Sequence, residues 1–326
     1  MLRSRIIGTG HYLPEKVLTN FDLEKIMDTT DEWIRQRTGI NQRHVVGPDQ
    51  AASDLGLKAG RRALETAGVA PEEVDYLICA TLTPDYFMPS SACLIQHKLG
   101  LTRAAAVDIN AACSGFVYGL QMADAFIRAG VHKTILVIAS EVLSLRLDWT
   151  KRDTAVLFGD GSGAVVIRGE EGEQGILSTF AAADGHAYDI LHIPAGGTRL
   201  VLTPENITDT ERGIIMNGRE LYKRAVMAFG EAVEKALQQT GCKAEDIDIF
   251  VPHQANERII DSAAKRIGLP SEKVYLNLDR VANTSAASIP IALDQARREG
   301  RIEENDLVLL AAFGAGLTWA SAMVRW

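Results

Sequence analysis

The strongest constraint on the fold of this chain is an internal repetition. Residues 64–78 read as a helix end, a glycine stop, an acidic connection and a buried strand that opens with a β-branched residue and an aspartate. Residues 237–251 repeat that order 173 residues later. Further on, Lys98-Leu99-Gly100-Leu101 is answered by Arg266-Ile267-Gly268-Leu269, and Leu136 to Ser140 by Leu307 to Ala311. The spacing drifts slightly between these matches, as loop insertions would make it do. Two copies of one α/β unit predict a pseudo-twofold molecule. Thr134 to Ala139 and Leu307 to Ala312 are apolar throughout, as expected of strands covered on both faces. A helix over Gly218 to Gln239 would supply such cover. The expectation is an α/β fold of two similar mixed-sheet halves, 1–172 and 173–326, stacked in layers with shared helices between them. No linker, low-complexity tract or long charge run separates the halves.

Composition narrows the function. With 326 residues, 47% hydrophobic and 23% charged, the chain can bury a substantial core. A net charge of −8 argues against general binding to nucleic acid, because nothing offsets phosphate repulsion. The four cysteines, 79, 93, 113 and 242, form no CxxC pair and join no histidine cluster, so no metal site is expected. Scattered thiols fit a reducing compartment. Apolar runs such as Leu307 to Phe313 fall far short of a membrane span, and Met1 to Gly8 moves straight into a strand-like run without a secretory core. A cytoplasmic protein without membrane insertion is the expectation.

The chemistry rests on three residues far apart in sequence. Cys113 follows the strand-like run around Ala105 to Ile109 and opens an apolar helical pattern that stops at Gly130. Unpaired N–H groups and the helix dipole at that position are expected to favour a thiolate. His253 ends the apolar run Ile249-Phe250-Val251-Pro252, where open α/β sheets build sites, and the repeat sets it opposite Thr81. Asn283 stands at the second-half counterpart of the cysteine turn, with Ala112-Cys113-Ser114-Gly115 set against Asn283-Thr284-Ser285-Ala286. The pseudo-axis should bring both turns together. A thiol can hold an acyl group, while an imidazole and a carboxamide can stabilise an enolate. The glycine segment Gly159 to Gly163 leads into the strand-like Ala164 to Ile167, not a helix, so it reads as a tight backbone crossing and not a phosphate loop.

These residues resemble β-ketoacyl-acyl-carrier-protein synthase III, among the thiolase-fold condensing enzymes. The likeness runs end to end, through Ile7-Gly8-Thr9-Gly10, Asp31-Glu32-Trp33-Ile34, Arg37-Thr38-Gly39-Ile40, Phe158 to Ala164, His253-Gln254-Ala255-Asn256, Asn283-Thr284-Ser285 and Phe313-Gly314-Ala315-Gly316. The resemblance implies a layered α-β-α-β-α arrangement and a reaction in two steps. Cys113 would take an acyl group from acyl-CoA, and malonyl-acyl-carrier protein would then lose CO2 and condense with it. His253 and Asn283 would stabilise the enolate, and the backbone N–H groups of Cys113 and Ala315 would form an oxyanion hole. Trp33, Arg37, Arg152 and Asn256 would hold CoA, and Lys223, Arg258, Lys265 and Arg266 would meet the carrier protein. No cofactor is implied beyond the acyl-CoA substrate, and a homodimer is.

Two positions depart from the family pattern. Ala315 replaces the middle one of three glycines, which would be strained at positive φ. Met88 stands where an aromatic residue often precedes the proline and bounds the partner's acyl pocket. Its softer side chain suggests primers longer than acetyl. Three alternatives stay open: a relative that serves secondary metabolism or transfers an acyl group without decarboxylation, a non-catalytic carrier-protein or acyl-CoA binder, and a thiol hydrolase with Asn283 orienting the base.

Overall fold

The structure, a computed structural model, describes residues 1–208 and 211–326. Its strands form two principal sheets. The first has five strands in the spatial order Leu2–Tyr12, Gly161–Glu171, Thr134–Glu141, Tyr76–Ala80 and Ala105–Ile109. The second has four, in the order Ile249–Pro252, Leu307–Gly314, Thr318–Arg325 and Gly175–Ala183. Both are mixed: Thr134–Glu141 and Leu307–Gly314 each pair in parallel on one side and antiparallel on the other. Every residue of those two central strands is buried, which accounts for their unbroken apolar sequence.

The layers follow from what each helix covers. Gly115–Arg128 and Ser288–Arg298 lie between the sheets, and one core cluster joins Phe116, Leu120 and Ile127 to Ile289, Leu293, Val137, Val165, Val308 and Leu310. Ala52–Ala67 and Ser91–Leu99 cover the outer face of the first sheet, packing Leu55, Ala59 and Ile95 on Leu77, Leu136 and Ile138. Gly218–Thr240 and Glu257–Arg266 cover the second, packing Phe229, Val233 and Ile259 on Phe250 and Leu309. The result is the layered α-β-α-β-α arrangement of a thiolase-like fold, built from two similar mixed-sheet units.

The repeat is visible in the register. A step of 173 residues carries the parallel pair Tyr76↔Ile135 onto Ile249↔Val308. Both outer helices stop at a left-handed glycine, Gly68 at φ 62° and Gly241 at φ 71°, which glycine adopts without steric cost. The segment Gly159 to Gly163 is a backbone crossing as expected. A Cβ on Gly163 would lie 2.6 Å from the Ile291 nitrogen, so the central helix rests directly on the strand backbone.

The units differ in their insertions. The first carries a hairpin of Lys16–Thr19 with Gln42–Val45 and the short helix Asp31–Thr38. The second carries the paired segments Leu191–His192 and Ile215–Met216. Both insertions supply walls to the cavities around Cys113.

Candidate active site

Cys113 occupies a single 3-10 turn, Ala112–Ser114, between strand Ala105–Ile109 and helix Gly115–Arg128. Ala112 is left-handed at φ 46°, and its N–H donates to Asn110 Oδ1 at 3.1 Å. Gly314 closes over the turn, since a Cβ there would fall 2.7 Å from the Cys113 nitrogen. The cysteine is therefore buried, and burial pushes its thiol up to about 12. Burial opposes the preference for a thiolate expected from the helix start. A helix dipole contributes on the order of 1 kcal/mol at best, less than desolvation of the anion takes away. Burial therefore favours the protonated thiol.

Asn283 sits in the matching turn. Its Oδ1 accepts the Ser285 N–H at 2.8 Å, and Ser285 is left-handed at φ 50°. Because the bound backbone group is a donor, the atom facing it is the carbonyl oxygen, which leaves Nδ2 as a donor toward the cavity. The register sets Asn283 opposite Asn110, and Ala286 opposite Cys113. The expected match of Cys113 with Thr284 was two residues out, because turns lack the periodicity that fixes strand and helix register.

His253 leaves strand Ile249–Pro252 with its N–H on the Ala311 carbonyl at 2.8 Å. It stands opposite Ala80, one residue before the expected Thr81. Its Nδ1 lies 2.6 Å from Ser288 Oγ, an oxygen that also accepts the Gln254 N–H at 3.4 Å. Nδ1 is the acceptor that the described residues offer this hydroxyl, so we assign it the Ser288 proton, which puts the ring proton on Nε2. Burial pulls the imidazole down to about 3, and it is neutral at ordinary pH. The group presented to the site is a neutral N–H donor. Sequence reasoning missed Ser288, which opens the helix Ser288–Arg298 and belongs to no motif around the histidine.

Two cavities meet at the thiol. The first, about 550 Å³, brings Cys113, His253 and Asn283 together with Trp33, Arg37 and Asn256. Arg219 and Arg258 line it too, and Arg219 was also missed, being one helix-start arginine among many. The second, about 630 Å³, runs from Cys113 past Leu143, Ile193 and Ile214 to Tyr188 and Phe87. Arg37, Arg219 and Arg258 line the first, and Arg146 and His192 line the second.

Further expected residues fall into place unevenly. The Arg152 guanidinium lies 4.8 Å from the Trp33 ring centroid and that of Arg37 lies 6.0 Å away. Arg152 also donates to the Asp28 carbonyl at 3.0 Å, outside the residues that line the first cavity. Asn256 caps helix Glu257–Arg266 by accepting the Arg258 N–H at 3.0 Å, and its Nδ2 donates to the Arg37 carbonyl at 3.1 Å. Lys223, Arg258, Lys265 and Arg266 are all exposed, with Arg266 paired to Glu234 at 3.6 Å. Ala315 lines the second cavity and escapes the feared strain, because positive φ falls instead on Gly316 at 134°. Met88 is 86% exposed and lines neither cavity that reaches Cys113, whereas its neighbour Phe87, 91% exposed, borders the second. Among the described residues no group of three His, Cys, Asp or Glu is placed to hold a metal, and no helix is long and apolar enough to cross a membrane.

Comparison with known proteins places this geometry. The family model for 3-oxoacyl-[acyl-carrier-protein (ACP)] synthase III matches residues 107–185, and the model for its C-terminal part matches 237–326. The β-ketoacyl-[acyl-carrier-protein] synthase III of Caldanaerobacter subterraneus subsp. tengcongensis is 50% identical over 321 residues, covering 98% of this chain and 97% of its own length. The crystal structure of 3-oxoacyl-[acyl-carrier-protein] synthase III from Aquifex aeolicus VF5 superposes with a TM-score of 0.93 at 46% identity, covering 99% of this chain and 100% of that one. The priming β-ketosynthase of the R1128 polyketide pathway superposes at 0.92 with 34% identity, over 99% and 96% of the two chains.

Proposed function

From the premise that the chain belongs to the 3-oxoacyl-[acyl-carrier-protein] synthase III family, we propose how its own residues carry out the condensation that starts fatty-acid synthesis. It is a thiolase-fold acyltransferase. The Cys113 sulfur attacks the thioester of an acyl-CoA, forming an acyl-cysteine and releasing CoA. Malonyl-acyl-carrier protein then enters and loses CO2. The His253 Nε2–H and the Asn283 Nδ2–H donate to the thioester oxygen as enolate charge grows there. The carbanion attacks the acyl-cysteine, and the backbone N–H groups of Cys113 and Ala315 receive the oxyanion. The observation that supports this reading is the convergence of Cys113, His253 and Asn283 on one cavity, with His253 Nδ1 2.6 Å from Ser288 Oγ.

The same reading assigns the surroundings. Trp33 and Arg152 grip the CoA adenine, with Arg37 on phosphate and Asn256 along the entrance. Their support is the guanidinium already stacked on the indole, a contact that a flat base can enter. Lys223, Arg258, Lys265 and Arg266 receive the acidic carrier protein, a role favoured by their exposure on two adjacent helices beside the cavity mouth. The chain works as a cytoplasmic homodimer in which Met88 bounds the partner's acyl pocket and admits primers longer than acetyl. The bare side chains of Phe87 and Met88 on an isolated chain favour that use. The two duplicated halves divide at 172 and 173, since the strands of each principal sheet fall on one side of that point. A relative that primes a secondary pathway is the second reading, and the R1128 enzyme is its counterpart among the similar structures.

Intact-protein mass spectrometry with a panel of acyl-CoAs from acetyl to decanoyl tests the first step. The expected result is a mass gain equal to the acyl group, absent in Cys113→Ala. No adduct with any acyl-CoA would overturn the catalytic reading and leave the fold. A strict preference for acetyl would remove the role given to Met88.

A further inference from the structure

The reaction needs somewhere to put the thiol proton, and the residues assigned so far offer nowhere. With the tautomer assigned above, Nδ1 accepting from Ser288 and the proton on Nε2, the His253 ring has no free lone pair. One buried carboxyl near the thiol has no role yet. Glu141 ends the central strand Thr134–Glu141 and is fully buried. It accepts the Thr83 hydroxyl at 2.7 Å, the Leu82 N–H at 3.2 Å and, more weakly, the Thr81 hydroxyl at 3.4 Å.

Ser285 connects this carboxyl to the nucleophile. Its hydroxyl is buried with no hydrogen-bond partner among the described residues, it lines the second cavity together with Cys113, and it lies close enough to the Cys113 thiol and the Glu141 carboxyl to favour the charged form of each. The turn holds it there, left-handed at φ 50° with its N–H on Asn283. A buried hydroxyl without a settled partner is costly, and one that can rotate between a proton donor and a carboxylate is a conductor.

We propose that Glu141 stores, by way of the Ser285 hydroxyl, the proton that Cys113 gives up while it carries the acyl group. This step rests on the reading that Cys113 is acylated. As sulfur bonds to the acyl carbon, its proton passes to the Ser285 oxygen and the serine's own proton passes to the Glu141 carboxylate. The carbon–sulfur bond to CoA breaks, and the CoA thiolate leaves and takes a proton from solvent. In the second step the enolate formed by loss of CO2 attacks the acyl carbon and expels the Cys113 thiolate. That thiolate recovers the stored proton through Ser285, and Glu141 is a carboxylate again. The cycle consumes one proton from solvent, which matches the carboxylate lost as CO2. Glu141 and Ser285 are positioning residues for that proton and do not touch substrate carbon.

Burial raises the carboxyl to about 7, so both of its forms are accessible near neutral pH. The titratable groups facing it are Cys113 from the turn and Cys79 from strand Tyr76–Ala80. Asp85 and Asp108 act on Cys79 as well, and both are bonded elsewhere, to Ser53 and to the Ser91 and Ala92 N–H groups respectively. The hydrogen-bond partners of Glu141 are the Thr81 and Thr83 hydroxyls and the Leu82 N–H, with the Ser285 hydroxyl beside them.

Glu141→Gln and Ser285→Ala test the store in the full-length enzyme. CoA release on rapid mixing with acyl-CoA reads the acylation rate across the neutral pH range. The wild type should accelerate as Glu141 ionises. Both variants should lose that rise and slow on the order of 100-fold at its plateau. Infrared difference spectra should show a protonated carboxyl appearing on acylation, absent in Glu141→Gln. A purely structural role would slow acylation without moving its pH profile. Wild-type rate and profile in Ser285→Ala, or no carboxyl band on acylation, would overturn the proposal even if Glu141→Gln failed to fold. A wild-type enzyme that forms no adduct overturns the acyl-enzyme reading itself. An adduct with an unchanged profile in the variants overturns only the proton store.

Discussion

Residues 110–114 and 283–287 are one turn used twice. In each, an asparagine Oδ1 takes the N–H two residues on, at 3.1 Å in the first and 2.8 Å in the second. In each, the next residue but one is left-handed, Ala112 at φ 46° and Ser285 at φ 50°, and one 3-10 turn leads into a central helix. Their side chains diverge. Cys113 faces Ala286 in the repeat, Ser285 faces Ala112, Ser288 faces Gly115 and His253 faces Ala80. At each of these four positions one copy carries a reactive or hydrogen-bonding group and the other carries alanine or glycine. A Cβ on Gly115 would lie 3.0 Å from that of Ala80 and 3.5 Å from that of Ala286, so these small residues meet across the pseudo-axis. On the proposed mechanism, one scaffold serves both copies while the chemistry is divided between them, the nucleophile in one and its donors in the other.

Asn110 and Asn283 are the one polar position kept in both turns, and they give the sharpest test. Asn283→Ala removes a donor to the enolate and should slow condensation about 100- to 1000-fold while the acyl adduct still forms. Asn110→Ala removes the same backbone bond, should cost about 1 kcal/mol of stability, as Asn283→Ala should, and should leave condensation within about 10-fold. Carbon dioxide release from labelled malonyl-carrier protein, alongside thermal unfolding, separates the two. Equal loss of condensation in both variants would make the asparagine a turn-former in each copy and no more.

Ser288 against Gly115 is the next pair. Ser288→Ala frees the His253 Nδ1 and lets the ring proton move to the wrong nitrogen, so condensation should fall about 10- to 100-fold. Acylation, read by mass, should hardly change. If acylation falls as far as condensation, the imidazole acts in the first step too and the division of labour is wrong.

How much of this the sequence carried depends on periodicity. The central strands and outer helices were legible because burial on both faces writes continuous apolar runs, and left-handed glycines end the helices visibly. The register of the turns was not, and Cys113 was set two residues from its true counterpart, because a turn has no repeating burial to count. Cys113, His253 and Asn283 stand at strand ends or helix starts, which a repeated pattern locates. Ser288, Arg219 and Glu141 are common residue types inside regular elements, and only packing distinguishes them from their neighbours. The protonated thiol was out of reach for a related reason: desolvation depends on what closes over the turn, and Gly314 arrives from 201 residues away.

The first cavity carries three arginines, Arg37, Arg219 and Arg258, and Trp33 probes it. Trp33→Ala removes the platform under Arg152 and should raise the KM for acyl-CoA roughly 10-fold with kcat little changed. The KM for malonyl-carrier protein should stay the same. A fall in kcat instead would place the indole nearer the reacting atoms than its stacking indicates.

The smallest effect sets the buried carboxyl of the first half against the buried imidazole of the second. Burial lowers His253 from 6.5 to about 3, so between those values the unfolded chain binds the proton better, and this contribution to stability is lost as pH falls below about 6.5. Burial raises Glu141 from 4.5 to about 7, so the folded chain binds the proton better there, and this contribution is lost as pH rises from about 4.5 through 7. Glu141→Gln cannot ionise and removes only the second dependence. Its melting temperature relative to wild type should therefore climb by a few degrees between about pH 5 and pH 8, whatever constant offset the lost hydrogen bonds impose. A difference that stays flat with pH would mean the carboxyl titrates alike in the folded and unfolded chain, and the proton store would then lack the raised affinity it depends on.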